Sequence, residues 1–108
     1  MEALLRDERF LNRYFTPAET AYVHAKGAGA AQTLAGLYAA KEAVLKAMGV
    51  GIALPLQEVE IFHGSGGQPQ VRLTGRAAQQ LAGMGGGSFL LTITHEGDTA
   101  AAAALWQA

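Results

Sequence analysis

The sequence predicts a single α+β domain that covers residues 1–108. The length of 108 residues is that of one ordinary domain. Helical spacing of apolar residues dominates the first half of the chain, whereas alternating apolar residues and glycine-rich turns dominate the second half. Half of the residues are hydrophobic and 16% are charged, a composition that excludes a disordered chain.

The first two helices are predicted from charge patterning and from a capping motif. Residues 1–14 place charged side chains between leucines and are expected to form one helix, although no capping residue precedes it. Thr16 and Glu19 have the spacing of a capping box, and Pro17 suits the first helical position. A second helix is therefore expected to begin here and to run to about Lys26.

A long third helix is expected from about Ala30 to Met48. Its apolar residues recur at spacings of three, four and seven, so they share a face; they are Leu34, Leu37, Tyr38, Leu45 and Met48. The glycine-rich segment 27–29 separates this helix from the second one. Gly49 suits the left-handed residue that commonly follows a helix end.

The second half of the chain is predicted to contain strands. Residues 58–62 alternate in polarity and residues 70–73 return after a glycine-rich turn at 64–67, which indicates a β-hairpin. A short helix is expected over residues 74–84. The β-branched and aromatic residues at 89–94 indicate a further strand.

The C-terminal segment admits two interpretations. Residues 96–98 are expected to form a turn. Thr99 to Trp106 contains five consecutive alanines, which favour a helix by intrinsic propensity. The same segment would be a strand if it paired with the preceding one in a hairpin.

Composition excludes several classes of protein. The chain has no cysteine, which excludes disulfides, thiolate metal sites and thiol nucleophiles. The net charge is -1 and no stretch concentrates Lys and Arg, so no extended nucleic-acid surface is expected. No apolar run is long enough to cross a bilayer, and the first residues lack the pattern of a signal peptide. A cytoplasmic protein without membrane contact is expected, with apolar surface buried against another subunit.

The segment from Tyr38 to Lys46 is the first candidate site. Glu42 and Lys46 lie four residues apart on one helical face. They would form either a surface ion pair or a carboxylate for a hard divalent metal beside an ammonium for phosphate. Gly49 and Gly51 favour the second interpretation, because a backbone without side chains can approach a ligand closely.

The end of the predicted strand at 92–96 is the second candidate site. Thr94, His95 and the carboxylate that follows them form either a ligand-binding edge or a solvated strand end. No second histidine follows at the spacing of a zinc metalloprotease. His24 and His63 have no evident partner and are predicted to be surface residues.

Several segments together resemble the holo-acyl-carrier-protein synthases, the small trimeric class of 4′-phosphopantetheinyl transferases. The order and spacing of the matching segments agree with that family from about residue 2 to the C-terminus. They are Leu34–Ala43, Lys46–Ile52, Thr92–Glu96, Arg9-Phe10 with Arg13, the Thr16-x-x-Glu19-x-x-Tyr22 pattern, and Gly67–Pro69. The resemblance implies an α+β trimer with coenzyme A (CoA) sites between subunits.

The resemblance also implies a reaction and roles for individual residues. Members of this family move the phosphopantetheine arm of CoA to a serine of acyl carrier protein in fatty acid biosynthesis, and release adenosine 3′,5′-bisphosphate. Glu42 matches a ligand of Mg²⁺ and is a candidate acceptor for the serine proton. Lys46 matches a phosphate-contacting lysine, whereas Thr94, His95 and the two glycines correspond to the CoA site. The family's first helix docks the carrier protein through basic residues, which here are Arg6, Arg9 and Arg13, expected on one helical face.

Two departures from the family pattern bear on this hypothesis. The family begins with a strand that carries Gly-x-Asp, whose aspartate is the other metal carboxylate, and this sequence has no such strand. The chain is therefore expected to bind metal less well. Glu96, favoured because it adjoins His95, and Glu2 are the first candidates to replace the aspartate. Leu37 also stands where many members have an arginine that contacts CoA phosphate. Two alternatives stay open, namely an inactive family member that binds CoA, and a structural α+β oligomer.

Overall fold

A computed structural model describes residues 1–49, 54–97 and 99–108. Four helices, four strands and three short 3₁₀ segments are assigned within these ranges. In chain order they are a 3₁₀ helix at Glu2–Arg6, α1 (Glu8–Tyr14), α2 (Pro17–His24), a 3₁₀ turn at Gly27–Gly29, α3 (Ala30–Ala47), a 3₁₀ turn at Leu56–Glu58, β1 (Val59–His63), β2 (Pro69–Leu73), α4 (Gly75–Gly83), β3 (Ser88–Glu96) and β4 (Thr99–Gln107). The predicted ligand residue Gly51 lies outside the described residues.

The N-terminal segment is two helices, so the prediction of one helix over residues 1–14 is wrong. Asp7 has an extended backbone between the 3₁₀ helix and α1. Its carboxylate accepts a hydrogen bond of 3.1 Å from the backbone N–H of Phe10. Asp7 is thus the N-cap of α1, hidden in the sequence within a run of charged residues.

Local signals placed α2 and α3 correctly. The capping box forms as predicted: Thr16 Oγ1 accepts from the N–H of Glu19 at 3.2 Å, and the Glu19 carboxylate accepts from the N–H of Thr16 at 2.9 Å. The helix ends at His24, slightly before the predicted end. Gly49 follows α3 with a φ of +77°, the left-handed conformation that terminates a helix.

The strands form two antiparallel hairpins, and this resolves the ambiguous C-terminal segment. β1 pairs with β2, with Val59 opposite Leu73. β3 pairs with β4 along its length, with Leu90 opposite Leu105. Burial alternates along β4, so pairing and the one-sided burial of its alanines outweigh their helix propensity.

The side chain that caps the N-terminus of α4 is that of Glu58 and not that of Thr74, the residue directly before the helix. Thr74 makes no side-chain cap. The Glu58 carboxylate accepts from the N–H of Ala77 at 3.0 Å, which satisfies a free helix donor. A Cβ on Gly75 would lie 2.6 Å from that carboxylate, and Gly75 has a φ of +55°, so a glycine is required at this position.

The core surrounds α3, which packs against both hairpins and α2. Its buried residues from α3 include Leu34, Leu37, Ala40, Val44 and Leu45. Lys41 and Glu19 are also buried there and form an ion pair of 2.7 Å with no exposed side-chain surface. Burial lowers the pKa of Lys41, and the Glu19 carboxylate partly offsets this effect. No helix in the part of the chain described by the structure is long and apolar enough to cross a membrane.

Candidate active site

His95 lies directly against α3 because the helix has a glycine at the point of contact. A Cβ on Gly36 would lie 2.6 Å from His95 Nε2 and 2.9 Å from Ile93 Cγ2. Ile93 and His95 alternate with Thr94 along β3, so both point toward the helix. The glycine therefore fixes where the imidazole lies.

His95 lines two clefts. We call the first, of about 370 Å³, the glutamate cleft; its lining is Met1, Glu2, Ala31, Gln32, Ala35, His95, Thr99 and Ala100. We call the second, of about 260 Å³, the lysine cleft; its lining is Tyr22, Lys26, Thr33, Gly36, Leu37, His63, Gly67, Pro69, Ile93 and His95. The structure thus places Glu2, a predicted replacement carboxylate, in a cleft with His95.

The lysine cleft contains a stack of three side chains that the sequence did not reveal. The rings of Tyr22 and His63 stack with centroids 4.4 Å apart and an interplanar angle of 7°. The ammonium of Lys26 lies 4.5 Å from the Tyr22 centroid. Lys26 thus brings a positive charge to the wall of the cleft, where Leu37 is buried and uncharged.

His63 is not a free surface residue, contrary to the prediction. It is half-buried, and its Nδ1 atom is buried with no hydrogen-bond partner among the residues that the structure describes. Burial, followed by the charge of Lys26, lowers the pKa of His63. His63 therefore stacks against Tyr22 as an imidazole that is neutral at pH 7.

Glu42 and Lys46 lie together near the end of α3, as the sequence predicted. Lys46 is exposed and Glu42 is half-buried. Neither forms an ion pair in the residues that the structure describes, where Lys41–Glu19 and Arg72–Glu60 are the two pairs present. The alternative of a mutual surface ion pair is therefore not realised.

Tyr38 borders Glu42 one turn earlier on the helix. Burial raises the pKa of Tyr38, and the negative charge of Glu42 and the neighbouring Tyr14 contribute. The carboxylate of Glu42 thus lies beside a neutral phenol and has no ion-pair partner among the described residues. This environment leaves its negative charge available to a ligand.

One chain does not bring Glu42 and His95 together. Glu42 lies six positions after Gly36, which places it about 9 Å along the helix and roughly 120° around it from the contact with His95. Thr94 also lies apart from His95, because it points to the opposite, exposed face of β3. The structure therefore places the two predicted CoA-site residues on opposite faces of the hairpin.

The residues present fit a metal site of one protein carboxylate. Within residues 1–49, 54–97 and 99–108, no group of three or more acidic or histidine side chains gathers as a metal cluster. Mg²⁺ is commonly held by one or two carboxylates together with substrate phosphates and water. Glu42 offers one such hard oxygen ligand, with the exposed Lys46 one turn away for the phosphates.

The three arginines predicted to share a helical face do not share one. Arg6 belongs to the 3₁₀ helix, and the extended Asp7 interrupts the helical register. Arg9 and Arg13, four residues apart in α1, do lie on one face. All three are exposed.

An aromatic groove lies beside α1. We use this name for a depression of about 490 Å³ lined by Arg13, Tyr14, Tyr38, Leu54, Pro55, Leu56 and Arg76. Arg13 and Arg76 come from different helices, so two helices each bring a cationic side chain to a groove that also contains tyrosines and apolar residues. Arg76 could not be predicted as part of this groove, because only the fold brings α4 to the same depression as α1.

Comparison with known proteins identifies the class. The model of the 4′-phosphopantetheinyl transferase superfamily matches residues 2–104. The holo-[acyl-carrier-protein] synthase of Treponema denticola is 43% identical over 103 residues, which cover 94% of this chain and 84% of the relative. The chain belongs to the holo-[acyl-carrier-protein] synthase family of 4′-phosphopantetheinyl transferases.

Solved structures confirm the α+β fold class. The holo-[acyl-carrier-protein] synthase of Neisseria meningitidis has a TM-score of 0.83 at 28% identity, covering 93% of this chain and 81% of the other. A complex of this synthase with CoA from Chronobacterium ammoniagenes has a TM-score of 0.81 at 28% identity, covering 90% of this chain and 80% of the other. The family resemblance seen in the sequence is therefore confirmed.

Proposed function

We propose that this chain transfers the 4′-phosphopantetheine arm of CoA to a serine of acyl carrier protein and releases adenosine 3′,5′-bisphosphate. The observation that carries the proposal is the unpaired Glu42–Lys46 face of α3, in a chain 43% identical to a holo-[acyl-carrier-protein] synthase. Phosphoryl transfer needs chiefly positioning and neutralisation of phosphate charge. A free carboxylate and a free ammonium on one helical face suit both needs.

The lysine cleft is proposed to hold the phosphorylated nucleoside end of CoA. Lys26 supplies the positive charge, and Thr33 and His95 supply polar groups on the same walls. Leu37 cannot contact phosphate, so Lys26 takes over the role that an arginine at position 37 would have. Charge-assisted hydrogen bonds from such a lysine contribute about 1.5–3 kcal/mol.

Glu42 and Lys46 are proposed to act on the pyrophosphate and on the incoming serine. When bound, Mg²⁺ would neutralise charge on the pyrophosphate oxygens. Glu42 would hold that ion with one carboxylate oxygen and accept the serine proton, directly or through water. Lys46 would donate to a phosphate oxygen, and the backbone at Gly49 permits a close approach after the helix end.

The site is proposed to form between copies of the chain in a homotrimer. Within one chain, His95 and Glu42 lie apart. A second copy of the chain would therefore supply one of the two residues to each CoA molecule. The outer face of the β3–β4 hairpin is apolar and uncovered, since Leu90 is 57% and Leu105 is 58% exposed. An apolar sheet face of this kind is typical of an interface between subunits.

Acyl carrier protein is proposed to dock beside the aromatic groove. Its negative charge would meet Arg9 and Arg13 on α1, with Arg6 nearby on the preceding 3₁₀ helix. Complementary charge of this kind guides the encounter of two proteins and sets their orientation. The apolar residues of the aromatic groove would then contact an apolar side chain of the carrier protein close to Glu42.

The function is tested by incubating the chain with apo carrier protein, CoA and Mg²⁺. The expected result is a carrier protein heavier by one phosphopantetheine group in the mass spectrum. CoA binding without transfer would favour the inactive family member, and no binding in calorimetry would favour the structural oligomer. Either result would contradict the proposal.

The shared site is tested by complementation between two inactive variants. His95→Ala and Glu42→Gln are prepared separately and then mixed after dissociation and reassembly. If each site takes His95 from one copy and Glu42 from another, the mixture regains part of the parent activity. A mixture as inactive as either variant would show that both residues serve the same copy.

A further inference from the structure

Lys41 uses its whole hydrogen-bonding capacity inside the protein. Its ammonium lies 2.7 Å from Glu19 Oε1, and it donates to the carbonyl oxygens of Leu56 at 3.0 Å and Val59 at 2.7 Å. An ammonium has three N–H donors, and here each has its own acceptor. The charge also lies 5.1 Å from the centroid of the Phe15 ring.

Glu19 connects the same ammonium to two further segments. Its Oε2 atom accepts from the backbone N–H of Ile61 at 2.7 Å, and its Oε1 atom accepts from the N–H of Thr16 at 2.9 Å. The pair therefore joins α3 to the start of α2, to the 3₁₀ turn before β1 and to β1 itself. Both side chains have no exposed surface.

We propose that Lys41 is a positioning residue for the transfer site. Glu42 is the next residue of α3, and Lys46 follows little more than one turn later. A helix that rotates or slides by one residue moves each side chain by about 100° and about 1.5 Å. Three directional hydrogen bonds at position 41 hold α3 against both movements, and thus hold Glu42 and Lys46 in place.

Apolar packing alone constrains α3 less strongly. Hydrophobic burial has no preferred direction, and the inner face of α3 includes the small residues Ala30, Gly36 and Ala40. Replacing a buried ion pair by apolar residues is often neutral or stabilising, so stability by itself does not explain the pair. A requirement for one fixed helix position does explain it.

This inference rests on the proposed function, and the absence of cysteine from the chain allows a sharp test. The single thiol of a Lys41→Cys variant is alkylated in the unfolded chain, which is then refolded. Bromoethylamine restores an ammonium at the length of lysine, whereas bromopropane gives a matched side chain without charge. Both forms are compared with the parent at a temperature where circular dichroism shows all three to be folded.

The expected result is a recovery that depends on the ammonium. The aminoethyl form should approach the parent kcat, and the propyl form should lose roughly tenfold or more, because small displacements of reacting groups are costly. The KM for CoA should also rise, by no more than removal of the Lys46 ammonium causes, because the Lys46 contact shifts with the helix. Equal kcat values in the two alkylated forms would overturn the proposal.

A second readout separates this inference from the proposed function. Hydrogen exchange of the backbone amides from Glu42 to Lys46 should be faster in the propyl form than in the aminoethyl form. If the parent transfers no phosphopantetheine, the proposed function is wrong. The hydrogen-exchange comparison still tests whether Lys41 holds α3 in position. Equal exchange in both forms would contradict that role.

A second variant keeps the test decisive if the propyl form does not fold. Lys41→Met with Glu19→Gln removes both buried charges together and retains an acceptor for the Ile61 N–H. This double variant should fold and show the same loss of kcat. A kcat equal to that of the parent would overturn the proposal.

Discussion

Two adjacent residues of α3 show how one helix serves both the fold and the site. Lys41 points inward, is fully buried and has every donor satisfied. Glu42 points outward, is half-buried and has no ion-pair partner among the described residues. The inner residue is fixed by directional bonds, and the outer residue can therefore offer an unpaired charge at a fixed place.

Substitution of the outer residue should have the largest effect on activity. Glu42→Gln keeps the shape of the side chain but removes the charge that would bind Mg²⁺ and accept the serine proton. Transfer should fall by about 10²–10⁴-fold, the usual contribution of a general base, and the free energy of unfolding should change by less than about 0.5 kcal/mol. Transfer assays with Mg²⁺ titration, together with thermal melts, measure both; unchanged metal dependence would exclude Glu42 as ligand.

Substitution of the inner residue should have the largest effect on stability. Lys41→Ala leaves the Glu19 carboxylate buried without its partner, which costs about 3–5 kcal/mol. The exposed Arg72–Glu60 pair is the matched control, since Arg72 is 61% exposed and lies 3.0 Å from Glu60. Arg72→Ala should cost no more than about 1 kcal/mol. Urea unfolding measures both values, and similar costs would contradict the distinction between the two pairs.

Removal of the Lys46 ammonium from the outer face of α3 should weaken the binding of CoA. Lys46→Ala should weaken CoA binding by about tenfold or more, because one charge-assisted hydrogen bond to phosphate is lost. Added salt should narrow the difference between the variant and the parent. Isothermal calorimetry at two salt concentrations measures this, and an unchanged Kd would make Lys46 an ordinary surface residue.

Reversal of charge on α1 should affect the carrier protein and not CoA. Arg9→Glu with Arg13→Glu places two negative charges where the acidic partner is proposed to dock, so the apparent KM for carrier protein should rise severalfold. Arg6→Glu should raise this KM less, because Asp7 separates Arg6 from the face of α1. Equal changes in the KM values for CoA and carrier protein would contradict a docking role.

Local signals made the helical frame and part of the site predictable. The capping box at Thr16 and the apolar spacing of α3 depend only on residues that are close in the sequence. The same is true of the motif that contains Glu42 and Lys46. The burial of Lys41 was not predictable, because its partner Glu19 is distant in the sequence. The lysine cleft was missed for the same reason, since only the fold brings His63 to the ring of Tyr22 beside Lys26.

The smallest expected effect concerns His63 and the dependence of stability on pH. Burial, followed by the charge of Lys26, holds the pKa of His63 below its ordinary value of 6.5. Between these two pKa values the unfolded chain binds more protons than the folded chain, so the free energy of unfolding falls as the pH decreases below about 6.5. His63→Phe retains a ring against Tyr22 and removes the titration, so its stability should fall less between about pH 7.5 and about pH 5. Parallel urea unfolding curves across this range measure the slopes, and identical slopes for the parent and His63→Phe would show that His63 contributes nothing to acid sensitivity.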